Sequence, residues 1–274
     1  MNCSARRISG PFGEGGRLIL VVLVLTAGTL PLAAQLSPNG GEFQVNSYTT
    51  SYQRMPAVAS DAQGGFVVAW SSYGSAGNDI FVSSIQARRH NASGTPLGPE
   101  FQVNSYTIGG QAFPAVASDP QGNFVVVWQS SGSNGPDASA YGILGQRFDA
   151  SGAPVGSEFQ VNTYTTNDQR YPAIASDALG NFVVVWESLG SSAGDTSSYS
   201  VHARRFDADG MPISGEVQVN TYATSEQQAP SVASDALGNF VVTWESYGSG
   251  GTDQSNWSVQ ARRFDASATP LGGQ

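Results

Sequence analysis

The sequence has no lysine, one cysteine and two histidines among 274 residues, and only 12% of its residues are charged. Each scarcity excludes something. Cys3 stands alone near the N-terminus, so the chain can form no internal disulfide and no cysteine-ligated zinc site, and its stability must come from packing. His90 and His202 do not fall at equivalent places and have no regularly spaced partner, which argues against a histidine-based metal site or triad. Positive charge is scarce too: twelve arginines face twenty-one acids, the formal net charge is −9, and no cluster larger than an arginine pair occurs after residue 34. Nucleic acid, which needs a basic face, is therefore excluded as a partner. No helical period appears after residue 35, so a Gly-rich phosphate loop opening a helix is excluded as well.

The one continuous apolar run spans residues 18–25. Arg6, Arg7 and Arg17 precede it, and Pro31, Leu32, Ala33 and Ala34 follow. The run is shorter than the roughly 20 residues a membrane span needs, and the small residues offer a cleavage site before Gln35. Residues 1–34 therefore read as a secretory signal peptide, and the expected location is outside the cell or on its surface, with the periplasm as the alternative. The mature chain, residues 35–274, would carry a charge of −11 and no cysteine.

What is present is a repeat. Gln-Val-Asn begins at Gln44, Gln102, Gln160 and Gln218, and the 58-residue step recurs at Trp70, Trp128, Trp186 and Trp244 without an insertion. Pro56, Pro114, Pro172 and Pro230 keep it, as do Asp61, Asp119, Asp177 and Asp235, and Arg89, Arg147, Arg205 and Arg263. The units run near 43–100, 101–158, 159–216 and 217–274. Each holds four strand-like segments. Residues 182–186 are apolar on both faces, as suits a strand covered on both sides, and the Asp-x-x-Gly runs around them have the chemistry of tight turns. Such a unit needs neighbours on both faces. The expected fold is all-β: a β-propeller of four four-stranded blades, with a linear sandwich array or a β-solenoid as alternatives. Residues 43–46 repeat the last strand of a unit, and are expected to complete the final blade and close the ring.

The units written FQVNTYT, SDALGNFVVVWES and ARRFDADG, at residues 159–165, 176–188 and 203–210, resemble repeats of large secreted or surface-attached bacterial proteins, over residues 42–274. That resemblance implies a propeller-like fold and extracellular binding or scaffolding. The Asp-box of sialidases matches only loosely, because Ser60 and Asp61 are adjacent where that motif separates them.

Recurrence decides between site and scaffold. Asp61, Asp119, Asp177 and Asp235 read as turn caps, since a catalytic acid needs one tuned environment rather than four alike. Arg89, Arg147, Arg205 and Arg263 read as structural, paired with a carboxylate or a tryptophan face, and the four tryptophans read as core. In an up-and-down sheet the short Asp/Gly hairpins gather at one end and the long Gly/Ser/Asp loops at the other. The loop end carries Tyr141, Tyr199 and Trp257, aromatics suited to stacking on sugars, and one aspartate per loop: Asp79, Asp137, Asp195 and Asp253. One carboxylate per loop falls short of the six to eight oxygens calcium takes, so no cofactor is expected, calcium being the only conceivable one. The expected function is a non-enzymatic module that binds an extracellular protein or glycan through this end. The alternatives are a polysaccharide hydrolase or lyase, or a piece of a larger adhesin. An enzyme would require an unrepeated pair of close carboxylates.

Overall fold

The computed structural model describes residues 40–75, 82–132, 140–191, 198–249, 251–253 and 255–273. The signal segment and three of the loop aspartates, Asp79, Asp137 and Asp195, lie outside the described residues. The chain divides into two units, Met1–Phe43 and Gln44–Gln274, and the strands belong to the second.

Among the described residues there are fifteen strands and no helix. Sheet 1 is β1 (Gln53–Ser60), β2 (Phe66–Tyr73), β3 (Ser83–His90) and β4 (Phe101–Gln102). Sheet 2 is β5 (Gln111–Ser118), β6 (Phe124–Ser131), β7 (Tyr141–Phe148) and β8 (Pro154–Gln160). Sheet 3 is β9 (Gln169–Ser176), β10 (Phe182–Leu189), β11 (Tyr199–Phe206) and β12 (Val217–Gln218), and sheet 4 is β13 (Gln227–Ser234), β14 (Phe240–Tyr247) and β15 (Trp257–Phe264). Each sheet is antiparallel with strands in chain order, so successive turns alternate between its two ends. Sheets 1 and 3 take their fourth strand from the first residues of the next sequence unit, and that of sheet 2 begins in its own unit and runs into the next.

The second strand of each sheet is the centre of the packing. In β10, Val183 and Val185 join a cluster with Phe240, Val242 and Trp244 of sheet 4, while Phe182, Val184 and Trp186 join one with Val125, Val127 and Ile143 of sheet 2. The doubly apolar pattern is thus satisfied from both sides, and the sheets stack face to face in a propeller-like succession. Trp70, Trp128, Trp186 and Trp244 are all buried.

The hairpins between first and second strands are built by one carboxylate each. Asp177 Oδ1 accepts from the N–H groups of Leu179 and Asn181 at 2.9 and 3.0 Å, and Gly180 supplies the positive φ of 83°. Asp61, Asp119 and Asp235 make the equivalent bonds.

At the other end of each first strand the register shifts, and the residue before the repeated proline takes a positive φ: Met55 55°, Phe113 54°, Tyr171 52° and Ala229 51°. Non-glycine residues there cost about 1–3 kcal/mol, and a following proline restricts the backbone further. The bulge turns two of these N–H groups toward the preceding sheet: Tyr171 donates to Gln129 Oε1 at 3.3 Å and Ala229 to Glu187 Oε1 at 2.7 Å.

Two expectations need revision. The last sheet has three strands, not four. Residues 44–46 form no strand with β15. Val45 instead accepts from Arg88 Nη1 through its carbonyl at 2.8 Å, as Val161 does from Arg204 and Val219 from Arg262. The N-terminal segment therefore lies against sheet 1 in the way the extensions of β8 and β12 lie against sheets 3 and 4.

Candidate active site

The residue after each repeated tryptophan lies near the loop end of the second strand, and in sheets 2 and 3 it meets the next sheet's bulge. The four units place Ser71, Gln129, Glu187 and Glu245 there. Ser71 is too short to reach a bulge N–H, and its buried Oγ has no hydrogen-bond partner among the described residues. Gln129 accepts the N–H of Tyr171 with its amide oxygen. Glu187 puts a carboxylate in the same place, 3% exposed.

Burial pushes Glu187 above the usual carboxylate range. The Ala229 N–H and the Arg170 guanidinium oppose this, and the negative charges of Glu226 and then Glu245 add to it. The arginine is a weak counterweight because its Nη2 stands 3.9 Å from Oε2, at the edge of ion-pair range, with Nη1 4.0 Å from Asp168. Instead the guanidinium lies over the Tyr199 ring at 4.2 Å and near Tyr171 at 5.2 Å. Burial also raises the Tyr199 hydroxyl, with Asp168 and Glu187 adding to the push and Arg170 reducing it. The Tyr171 ring meets Phe113 edge-on at 4.6 Å. One buried carboxyl inclined to keep its proton, two nearby acids and an arginine between aromatic faces thus converge at the loop end of sheets 3 and 4.

Tyr141, Tyr199 and Trp257 open the third strands β7, β11 and β15 at that end. Only Tyr199 reaches the Glu187 cluster. Tyr141 is exposed, and Trp257, 41% exposed, packs edge-on against Tyr247 at 5.4 Å. Asp253, the one described loop aspartate, accepts from Ser249 Oγ through its carbonyl and from Ser255 Oγ at Oδ1. Among the described residues no group of three or more His, Cys, Asp or Glu side chains is placed to hold a metal ion.

The repeated arginines join sheets rather than face tryptophans. Arg89 donates to the carbonyls of Ala150 and Ser151, Arg147 to that of Ala208 at 2.6 Å, and Arg205 to that of Ala266, each in the following sheet's hairpin. Arg205 also meets a carboxylate, Asp177 Oδ2, at 2.8 Å, and Arg147 stands 3.9 Å from Asp209 Oδ1. The clefts between sheets at the hairpin end are lined by these same groups, Asp119 and Arg147 in one and Asp61 and Arg89 in another, so their polar chemistry is already engaged. A second joining device escapes the sequence reading: Glu100, Glu158 and Glu216 accept backbone N–H groups of Ser47, Ser105 and Thr163, 53 residues earlier in the chain. Burial would raise Glu216, but His202, 2.9 Å away, and the Thr163 N–H bring it below the usual carboxylate range.

No family model matches the chain, and no curated protein matches it. Solved structures do. A protein of unknown function from Dyadobacter fermentans is 14% identical with a TM-score of 0.56, over 83% of this chain and 70% of that one. The GH93 α-L-arabinofuranosidase of Fusarium graminearum, solved with arabinobiose, is 12% identical with a TM-score of 0.53, over 81% and 66%. The α-L-arabinanase of Penicillium chrysogenum, also with arabinobiose, is 14% identical with a TM-score of 0.50, over 82% and 67%. The chain spans about two thirds of the length of these two enzymes. At such identities the likeness shows the fold alone, all-β and propeller-like.

The expectation of a non-enzymatic binding or scaffold protein is thereby corrected. The solved structures of like fold include an arabinofuranosidase and an arabinanase. Of the two glutamates at this repeat position, Glu187 is buried and Glu245 is exposed, so one acid has an environment its repeat-mate lacks. Glu187 carries no motif of its own: it differs in residue type from Ser71 and Gln129 and in burial from Glu245, which a search for recurrence passes over.

Proposed function

We propose that this chain is an exported polysaccharide-degrading hydrolase in which Glu187 gives a proton to the leaving glycosidic oxygen and Glu226 is its ionised partner. The observation that carries the reading is Glu187 itself: a buried carboxyl held above its usual range beside acids that stay wetter. Glycoside hydrolysis asks for that division of labour, one carboxyl protonated and one charged, set by environment. As the glycosidic C–O bond breaks, the proton of Glu187 passes to the departing oxygen, and the Glu226 carboxylate stabilises the positive charge developing at the anomeric carbon. Water then bonds to the anomeric carbon through its oxygen and releases a proton that restores the Glu187 carboxyl. Tyr199 and the exposed Trp257 offer ring faces for sugars, and Arg170, fixed over Tyr199, offers donors to sugar hydroxyls. The fold likeness to two arabinan-type enzymes supports the reading and favours neutral furanose polymers as the first substrates to try.

The test is release of reducing ends from a panel of purified polysaccharides beginning with arabinan, by the wild type and by Glu187→Gln. Gln129 already fills the equivalent place in sheet 2, so the amide is compatible with the fold. Release by the wild type that the variant loses is the expected result. No release from any member of the panel, or equal release by both proteins, would overturn the reading.

A further inference from the structure

The boundary between neighbouring sheets is one joint repeated three times along the chain, and the two ends of the stack each carry one half of it. On the leading half, Ile85, Ile143 and Val201 are fully buried by the following sheet, whereas Val259, at the same place in sheet 4, is 79% exposed. Val67 and Val183, too, are buried, while Val241 is only half-buried. On the receiving half the same holds in reverse. Phe124, Phe182 and Phe240 are buried and Phe66 is half-buried; Val126, Val184 and Val242 are buried and Val68 is half-buried; Val116 is buried and Val58 is 65% exposed. The polar part of the joint is split in the same way. Glu187 accepts the bulge N–H of Ala229 in the next sheet, while Glu245 is exposed, and Met55 presents the same bulge, φ 55°, on the receiving side of sheet 1. Sheet 4 also lacks the two-residue fourth strand that sheet 3 obtains at Gln218 opposite His202. Gln44 holds that repeat position at the start of sheet 1.

We propose that the open face of sheet 4 is a docking surface for sheet 1 of a second copy of this chain, so that copies join head to tail. The occupant is identified by the joint itself. The two faces match in shape, register and hydrogen-bonding groups because each is a repeat of a face already mated inside the chain. Within one copy Val259 and Val58 leave both faces exposed. The assembly would set Glu245 of one copy against the Met55 N–H of the next, as Glu187 is set against Ala229, and would cover Val259 and Val58 together. The surface buried is apolar at its centre, as a lasting interface requires. The inference does not depend on the proposed activity.

Light scattering on the full chain across a range of concentrations tests it. Two copies that each dock sheet 4 on the other's sheet 1 leave no face open, so the wild type is expected at twice the mass of one chain. Val259→Glu and Val58→Glu, both at exposed positions that leave the single copy's core untouched, are each expected to lower the mass toward one chain. Mixing the two variants should restore a two-chain species, because one brings an intact sheet 1 face and the other an intact sheet 4 face. Wild type at the mass of one chain throughout would overturn the proposal and favour closure within a single chain. Dimers that survive Val58→Glu but not Val259→Glu would overturn it in favour of sheet 4 pairing with itself.

Discussion

Asp61, Asp119, Asp177 and Asp235 occupy one place in four sheets and do one thing, whereas Ser71, Gln129, Glu187 and Glu245 occupy one place at the opposite end and each does something different. The first set holds hairpins: the carboxylate gathers the N–H groups of a tight turn, and the same bonds appear in every sheet. In the second set Ser71 is too short to reach the next sheet's bulge, Gln129 meets it with an amide, Glu187 meets it with a buried acid, and Glu245 is an exposed acid on the last described sheet. In a repeat protein, sameness marks what the architecture demands and difference marks where function can enter. A group tuned for chemistry needs one environment, and repetition supplies several copies of the same one.

The largest effect that would sharpen this contrast is on catalysis. Glu187→Gln should lower kcat/KM on the cleaved polysaccharide by about 10²–10⁴-fold, the usual contribution of a general acid. Gln129→Ser, at the equivalent place in sheet 2, should leave it within a few-fold. In the wild type, activity should fall as pH rises through the raised pKa of Glu187, because the proton to be donated is then gone. Comparable losses from both substitutions would erase the distinction between the positions.

Next comes the shared core. Trp186→Ala should cost about 3–5 kcal/mol through the cavity left between sheets 2 and 3, read as a lowered denaturant midpoint. A midpoint close to that of the wild type would remove Trp186 from the core and with it the reason for the repeat.

The hairpin carboxylates can themselves be ranked. Asp177 is buried and ion-paired to Arg205 at 2.8 Å, so Asp177→Ala strands a buried cation and should cost about 3–5 kcal/mol. Asp235 makes the same backbone bonds in an exposed turn, so Asp235→Ala should lower Tm distinctly less. Equal losses would mean that the turn bonds, and not the ion pair, carry the effect.

The smallest effect is on stability against pH, and it has opposite signs at two glutamates. Glu216 is held below its usual range, so its contribution is present at neutral pH and is lost as pH falls through its lowered pKa. Glu187 is held above its usual range, so its contribution is present at low pH and is lost as pH rises through its raised pKa. Tm of Glu187→Gln should therefore decline less than that of the wild type on going from acid to neutral pH, and a steeper decline would reverse the assignment.

Much of the scaffold was legible in the sequence, because the features that build it recur. Tryptophan, aspartate and proline at fixed spacing give the strand order and the hairpin end, and Phe182 to Trp186 announce a strand covered on both faces. The bulge was hidden. Nothing in Tyr171-Pro172 signals a positive φ, and a residue before proline is expected to be extended. The fourth strand of the last sheet was over-read, since a matching segment at the other end of the chain shows only that a strand is available, not that it pairs within the same copy. Tyr199 stands out in the sequence as an aromatic at the loop end, yet its partner Arg170 does not, because Gln53, Gln111 and Gln227 are shared around it while position 170 is Arg54, Ala112 and Gln228 in the other units. Differences between repeats carried the site, and they are visible only once the repeats are aligned position by position.

The central claim is that burial holds the pKa of Glu187 above the usual value for glutamate. Carbon-13 NMR titration of its side-chain carboxyl in the full chain tests this without any substrate. The account predicts a midpoint above the 4.5 usual for glutamate, and a lower midpoint in Glu226→Gln, where one of the neighbouring negative charges is removed. A wild-type midpoint at or below 4.5 would contradict it.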